Sequence, residues 1–220
     1  MCSDLSHRID RYYRKIGLFD IDMNKDILIC GVGGQGTVLA SKLISEAFMK
    51  EGNKVHSAET IGMAQRGGSV TSHVRVGDVS SPLIRKGFCD MIISFEPSEA
   101  VRSLSYLKKN GVVIVNSEPV KPTTETLNDT GYDGVEMIEF LKDRCKTIIV
   151  SSKDVTDMFG SSKFFNIYML GVAAGSGSLG IEKAVLLDVI RNRVPEKFVD
   201  VNIKAFEEGY KKAEGDKNEA

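Results

Sequence analysis

The sequence predicts an α/β domain with a mostly parallel sheet. Three observations carry this. The apolar run Ile27-Leu28-Ile29-Cys30 stops at the glycine cluster Gly31-Val32-Gly33-Gly34-Gln35-Gly36-Thr37, and a helical pattern follows at once in Val38, Leu39, Leu43, Ile44, Ala47 and Phe48. The runs 91–95 and 111–115 are continuously apolar, as strands covered on both faces would be. Such runs alternate with amphipathic helical stretches, the order that builds a parallel sheet between helix layers. The expected architecture is a single three-layer, Rossmann-like domain with a helical C-terminal part.

Taken in order, residues 1–22 read as an N-terminal extension, in which Leu5, Ile9, Tyr12, Tyr13 and Ile16 have rough helical spacing. The domain proper spans 23–213, and 214–220 reads as a frayed tail. A first strand is expected over 27–30 and a helix over 38–50, closed by Gly52. A short strand follows around Val55, and 59–68 reads as a polar, glycine-containing loop. Residues 69–76 alternate with period two, with valines on one face and Thr71, His73 and Arg75 on the other. Gly77-Asp78 is then a turn and 79–84 pairs back, giving antiparallel strands around 69–84. Glu96-Pro97-Ser98-Glu99 opens a helix reaching Leu107, with proline in its first turn. The strand 111–115 ends at Asn116, 117–133 is a loop, 135–144 a helix and 147–150 a strand. Helices follow over 166–174, 181–194 and 200–213, with Ser176, Gly177 and Gly180 ending one and starting the next.

Composition excludes several classes. The 220 residues carry a formal net charge of -1, with 42% hydrophobic and 27% charged residues. A dedicated nucleic-acid binder carries a basic excess. The pairs Lys108-Lys109 and Lys211-Lys212 read as solvated helix faces. No apolar run approaches the roughly 20 residues of a membrane span. The four cysteines, at 2, 30, 89 and 145, form no C-x-x-C, so neither a metal site nor a cluster run nor a disulfide framework is expected. A cytoplasmic protein without nucleic-acid or membrane partners is the reading.

Two loops carry the chemistry. Gly31, Gly33 and Gly36 satisfy G-x-G-x-x-G between a strand and a helix. Glycines let the backbone turn and a ligand approach, and the helix start offers N–H groups to an anion such as phosphate. The plainer alternative is tight helix–strand packing. A dinucleotide site also wants an acidic residue near the second strand, for which Glu59 is the nearest candidate. The second loop, Gly62-Met63-Ala64-Gln65-Arg66-Gly67-Gly68, sets a bidentate cation beside a flexible glycine pair. Its plainer alternative is a turn before the 69–76 strand. His73 reads as a hydrogen-bonding residue rather than a base, His7 and His56 lack partners, and no Ser/His/Asp spacing is visible.

These residues carry a resemblance. Gly-Val-Gly-Gly-Gln-Gly at 31–36, Gly-Met-Ala-Gln-Arg-Gly-Gly-Ser-Val at 62–70, Ser-His-Val-Arg at 72–75, Ser81-Pro82-Leu83-Ile84, Phe95-Glu96-Pro97 and Glu99-Ala100 resemble the gamma subunit or domain of the 2-oxoacid:ferredoxin oxidoreductases. The ending, Arg193 to Phe198 with Asn202-Ile203-Lys204-Ala205-Phe206, is similar to the small (beta) subunits of indolepyruvate ferredoxin oxidoreductases in particular. The resemblance implies oxidative decarboxylation of a 2-oxoacid to an acyl-CoA, with electrons passed to ferredoxin. It implies a larger partner subunit holding thiamine diphosphate and [4Fe-4S] clusters, since this chain has no cluster-type cysteine set and no thiamine diphosphate motif. The chain would not be active alone.

Coenzyme A is then the ligand expected at Gly31, Gly33, Gly34, Gln35, Gly36 and Thr37, at Met63, Gln65, Arg66, Gly67 and Gly68, and at Asn116. Arg66 is the one catalytic candidate. Many relatives have His where this chain has Ile61, which leaves the particular 2-oxoacid open. Two alternatives stand beside this reading: a free-standing NAD(P)-binding oxidoreductase with Glu59 on a ribose, and a purely structural subunit. Whether the isolated chain forms a homodimer also stays open.

Overall fold

The computed structural model describes residues 24–61, 68–120 and 131–218. The expected extension over 1–22 lies outside these, as does most of the second glycine loop. The strands are β1 (Lys25–Val32), β2 (Val55–Ile61), β3 (Ser69–Val76), β4 (Cys89–Ser94), β5 (Leu107–Asn116) and β6 (Lys146–Val150). The helices are α1 (Thr37–Lys50), α2 (Pro97–Ser103), α3 (Val135–Lys142), α4 (Ser152–Phe159), α5 (Phe165–Gly175), α6 (Lys183–Arg193) and α7 (Val199–Asn218).

The six strands form one sheet in the order β2-β3-β1-β4-β5-β6. β1, β4, β5 and β6 are parallel, while β3 runs antiparallel to both β1 and β2. The alternation of β1 sends Ile27 and Ile29 to one face and Leu28 and Cys30 to the other. On the first face they meet Leu43, Ile44 and Phe48 of α1 together with residues of α4 to α7. On the second they meet Ala100 of α2 and Leu141 of α3. This is the expected three-layer arrangement.

Helix α5 is buried over all eleven of its residues, so it is apolar all round rather than amphipathic. It crosses α7 with the two backbones in contact. A Cβ placed on Gly171 would sit 2.1 Å from the Phe206 carbonyl oxygen, and one on Gly209 would sit 2.2 Å from that of Tyr168. Only glycine permits this approach.

Five local differences from the sequence reading stand out. Residues 79–84 do not form a strand: 77–88 is a run of turns and bends. β3 already has a neighbour on each side, so no edge is free for a further strand. Side chains of β3 hold the segment instead, with Arg75 Nη1 donating to Ser81 O at 2.9 Å and Ile84 N donating to His73 Nδ1 at 3.2 Å. Glu59 lies within β2 rather than in a loop, because the hairpin ladder pairs it with Ser72. The helix opened by Pro97 stops at Ser103, and a short 3₁₀ turn leads into β5 at Leu107. α4 was not anticipated, and α7 continues to Asn218 through the expected tail. No helix among the described residues is long and apolar enough to cross a membrane.

Candidate functional site

The site begins where neighbouring strands part company. α1 leaves β1 toward one face of the sheet, and α2 leaves β4 toward the other. Such a switch point opens a crevice beyond the carboxyl ends of the two strands, where open α/β sheets hold ligands.

The glycine loop forms one wall. Gly34 and Gly36 have φ of 101° and 84°, in the region that side chains disfavour. Gln35 N donates to Val32 O at 3.3 Å, closing the turn, and Gly36 becomes the N-cap of α1. This cap makes no side-chain hydrogen bond, and the first turn of α1 carries no acidic residue. The leading N–H groups of a helix have no partner within it. Those of α1 therefore lie at the switch point, at the positive end of the helix dipole, with no side-chain cap of their own. Gly33 N donates to Gly68 O at 2.9 Å, so the two glycine loops meet.

The other walls carry carboxylates. Glu96, 1% exposed, caps α2: it accepts from Glu99 N at 3.0 Å, Ser98 Oγ at 2.6 Å and Tyr132 Oη at 2.6 Å. Burial and this carboxylate push the Tyr132 hydroxyl pKa well above its ordinary value. Glu118 reaches the start of α4, where it accepts from Ser151 Oγ at 2.8 Å and Ser152 Oγ at 3.0 Å and also from Ser152 N. Burial alone would raise its pKa; the hydroxyls of Ser151, Ser117 and Ser152 with the Ser152 N–H outweigh it and lower the value.

The structure reassigns two expected ligands. Gln35 Oε1 accepts from Val32 N at 2.8 Å and its Nε2 donates to Phe95 O at 3.0 Å, so its amide braces β1 against the end of β4. Asn116, 2% exposed, donates to Phe95 O at 3.1 Å and Glu118 O at 2.9 Å and accepts from Ser152 N at 3.0 Å. The Asn116 amide is held inside the chain by these bonds, while the Gln35 amide keeps one N–H and one lone pair beyond the two bonds that brace it. Thr37 is buried at the helix start. Met63, Gln65, Arg66 and Gly67 lie outside the described residues, and Gly68 stands at their edge, against Gly33.

Glu59 sits on edge strand β2, with the reversed β3 between it and β1. Its carboxylate faces Ser41 of α1 at 3.4 Å. The dinucleotide reading thereby loses its acid, which belongs on a parallel strand beside β1. Glu96, Glu99, Glu118 and Tyr132 were missed. A cap signal, Glu96 before Pro97, was present for the first; each of the others has a partner 30 or more residues away, Ser69 for Glu99, Ser151 for Glu118 and Glu96 for Tyr132.

Cys30 and Cys89 are buried in the sheet and do not serve as reactive groups. Burial raises the Cys30 thiol to about 11 and the Cys89 thiol to about 12. A cavity of about 390 Å³ lies at the opposite end of β1, lined by Asp26, Arg75, Asp90 and Lys108 among others. Its charges pair with one another, Arg75 with Asp26 at 2.7 Å and Lys108 with Asp90, so it offers little to a charged ligand. Among the described residues no group of His, Cys, Asp and Glu is placed to hold a metal ion.

Residues 26–212 match the family described as pyruvate ferredoxin/flavodoxin oxidoreductase. The chain belongs to that family and is a subunit of the 2-oxoacid:ferredoxin oxidoreductase class. Within it, the chain is similar to indolepyruvate oxidoreductase subunit IorB of Archaeoglobus fulgidus, 38% identical over 193 residues, 87% of this chain and 96% of that one. The IorB subunit of Methanothermobacter thermautotrophicus is 34% identical over 190 residues, 86% of this chain and 97% of its own. A solved keto/oxoacid ferredoxin oxidoreductase gamma subunit from Geobacter sulfurreducens shares the fold, with a TM-score of 0.65 at 24% identity over 87% of this chain and 99% of that one.

Proposed function

We propose that this chain is the small subunit of an oxidoreductase acting on indolepyruvate or a related aryl pyruvate, and that its crevice binds the phosphates of coenzyme A beside the partner's active site. The open N-terminus of α1 carries this reading: a glycine loop with no cap and no acid of its own, at the switch point of the sheet. The reaction converts the 2-oxoacid and coenzyme A to acyl-CoA and carbon dioxide, with two electrons passed to ferredoxin. Thiamine diphosphate and [4Fe-4S] clusters belong in this reading to a larger partner subunit, because the sequence carries neither a cluster-type cysteine run nor a thiamine diphosphate motif. In this reading residues 23–213 form the working domain and 1–22 an appendage to it.

Arg66, in the loop that Gly68 ties to Gly33, supplies the cation. Arg66→Ala in the complex reconstituted with its partner is expected to raise the apparent KM for coenzyme A about tenfold or more, the worth of one charge-assisted contact. An unchanged dependence on coenzyme A removes the role. The 2-oxoacid is tested by comparing kcat/KM for indolepyruvate and pyruvate in that complex; a preference for pyruvate overturns the substrate assignment.

A further inference from the structure

A buried amide from the helical C-terminal part stands against the cap of α1. Asn166 lies in the first turn of α5 and is 9% exposed. A Cβ placed on Gly36 would sit 2.7 Å from Asn166 Nδ2 and 3.4 Å from Asn166 Cβ. The amide therefore fills the place that a side chain at the cap would take. Phe165, one residue earlier, meets Phe95 edge to face with ring centroids 5.9 Å apart, which fixes the start of α5 beside the carboxyl end of β4.

The two ends of that amide are used unequally. Oδ1 accepts from Ile167 N at 2.9 Å. This bond sets how the group is turned, because only the oxygen can accept an N–H. Nδ2, with two donor hydrogens, has no acceptor among the described residues. Nor is it sealed off: the fully enclosed side-chain atoms without a partner, among the described residues, are Ser45 Oγ and Ser72 Oγ. A polar group this deep ordinarily finds a partner within the fold, and leaving it without one costs free energy. Filling the space beside Gly36 would be served as well by an apolar side chain.

The neighbouring groups define what the missing acceptor is. Asn166 Nδ2 adjoins the leading N–H groups of α1, a helix start with no side-chain cap and no acid in its first turn. α5 also begins without a side-chain cap hydrogen bond and without an acid in its first turn. Two positive helix ends and one free amide donor thus meet around Gly36, and such a set of donors matches an oxyanion.

We infer that Asn166 binds coenzyme A directly, its Nδ2 donating to the phosphate that the α1 N-terminus holds. This rests on the coenzyme A reading above and adds to it a side chain from α5. Gly36 is its counterpart, since any side chain there would displace the amide from the cap.

The test uses Asn166→Ala and Asn166→Asp in the reconstituted complex, with Val38→Glu as an independent obstruction of the α1 start. Asn166→Ala is expected to raise the apparent KM for coenzyme A about tenfold, the worth of one charge-assisted bond, with the KM for the 2-oxoacid within about twofold. Asn166→Asp keeps the size and the acceptor for Ile167 N, and sets a carboxylate oxygen where Nδ2 stood. It is expected to raise the KM for coenzyme A further, while the melting temperature of the full-length chain holds or rises, as an acid in the first turn of a helix brings about. A residue that only packs against Gly36 would tolerate the aspartate. If Asn166→Asp melts lower than the parent, Asn166→Ala decides alone. The inference is overturned if Asn166→Ala, or a stable Asn166→Asp, leaves the KM for coenzyme A unchanged while Val38→Glu raises it; the coenzyme A reading then stands. It is also overturned if the KM for the 2-oxoacid rises in step. If none of the three variants moves the KM for coenzyme A, the coenzyme A reading fails and the inference with it.

Discussion

Helices α1, α2 and α4, among those that begin at the carboxyl end of the sheet, are finished differently. α2 and α4 are stoppered by the chain's own carboxylates, Glu96 and Glu118, each accepting several hydrogen bonds. α1 begins from a left-handed glycine, without a side-chain cap and without an acid in its first turn. All three present the same positive helix end. Where the chain supplies the anion, the helix start is scaffold. At α1 the chain supplies neither a capping side chain nor an acid in the first turn. The same crevice therefore contains fixed walls and an open wall, and the difference lies in where the carboxylates stand.

That contrast can be broken from its rigid side. Glu96→Ala removes an almost fully buried acceptor from the Ser98 and Tyr132 hydroxyls and from the Glu99 N–H. The expected loss is about 3 kcal/mol of unfolding free energy, measured by urea titration. A loss under about 1 kcal/mol would mean that water replaces the cap at no cost. Glu118→Ala is expected to cost less, about 1–2 kcal/mol, because its surroundings are wetter.

The open side can be sharpened by closing it. Val38, half-exposed in the first turn of α1, is replaced by glutamate. Val38→Glu is expected to stabilise the isolated chain by about 0.5 kcal/mol through the helix dipole, and to raise the apparent KM for coenzyme A. Stabilisation with an unaltered KM would separate the helix start from ligand binding.

The smallest effects appear in the dependence of stability on pH. Burial, followed by the charge of Arg75, lowers the His73 pKa below its ordinary 6.5, with Asp26 opposing. The unfolded chain then takes up the proton first, so stability declines as pH falls below about 6.5. Protonation also costs the acceptor that Nδ1 offers to Ile84 N. Glu118, lowered from 4.5, adds a second decline below that pH. Glu118→Gln should flatten the lower limb alone. Thermal melts across the range check both, and a profile flat between pH 7 and 5 would contradict the His73 assignment.

The strand, glycine loop and first helix were legible because their signals are local: an apolar run, a glycine cluster and a helical period within 25 residues of one another. The buried strands β4 and β5 were legible for the same reason. The boundaries of α2 and the existence of α4 were not, since α4 buries little beyond Val155 and its start is completed by Glu118, 34 residues earlier. Gln35 read as a ligand from its place in the glycine loop, and Asn116 as a polar amide at the end of a strand. Their partner, the Phe95 carbonyl, is 60 and 21 residues away and gives no local trace.

By itself the sequence determined the α/β class, the glycine loop between β1 and α1, and, through its motifs, the family. These rest on periodicity and on glycine, whose effects are confined to neighbouring residues. Tertiary structure alone decided that β3 runs against its neighbours and carries Gly68 to Gly33, that Glu59 lies two strands from β1, and which helix starts receive a carboxylate. Each of these depends on which distant segment meets which at the end of the sheet. A buried donor or acceptor takes its partner from whatever the fold brings within reach, and that is not written in the spacing of residues along the chain.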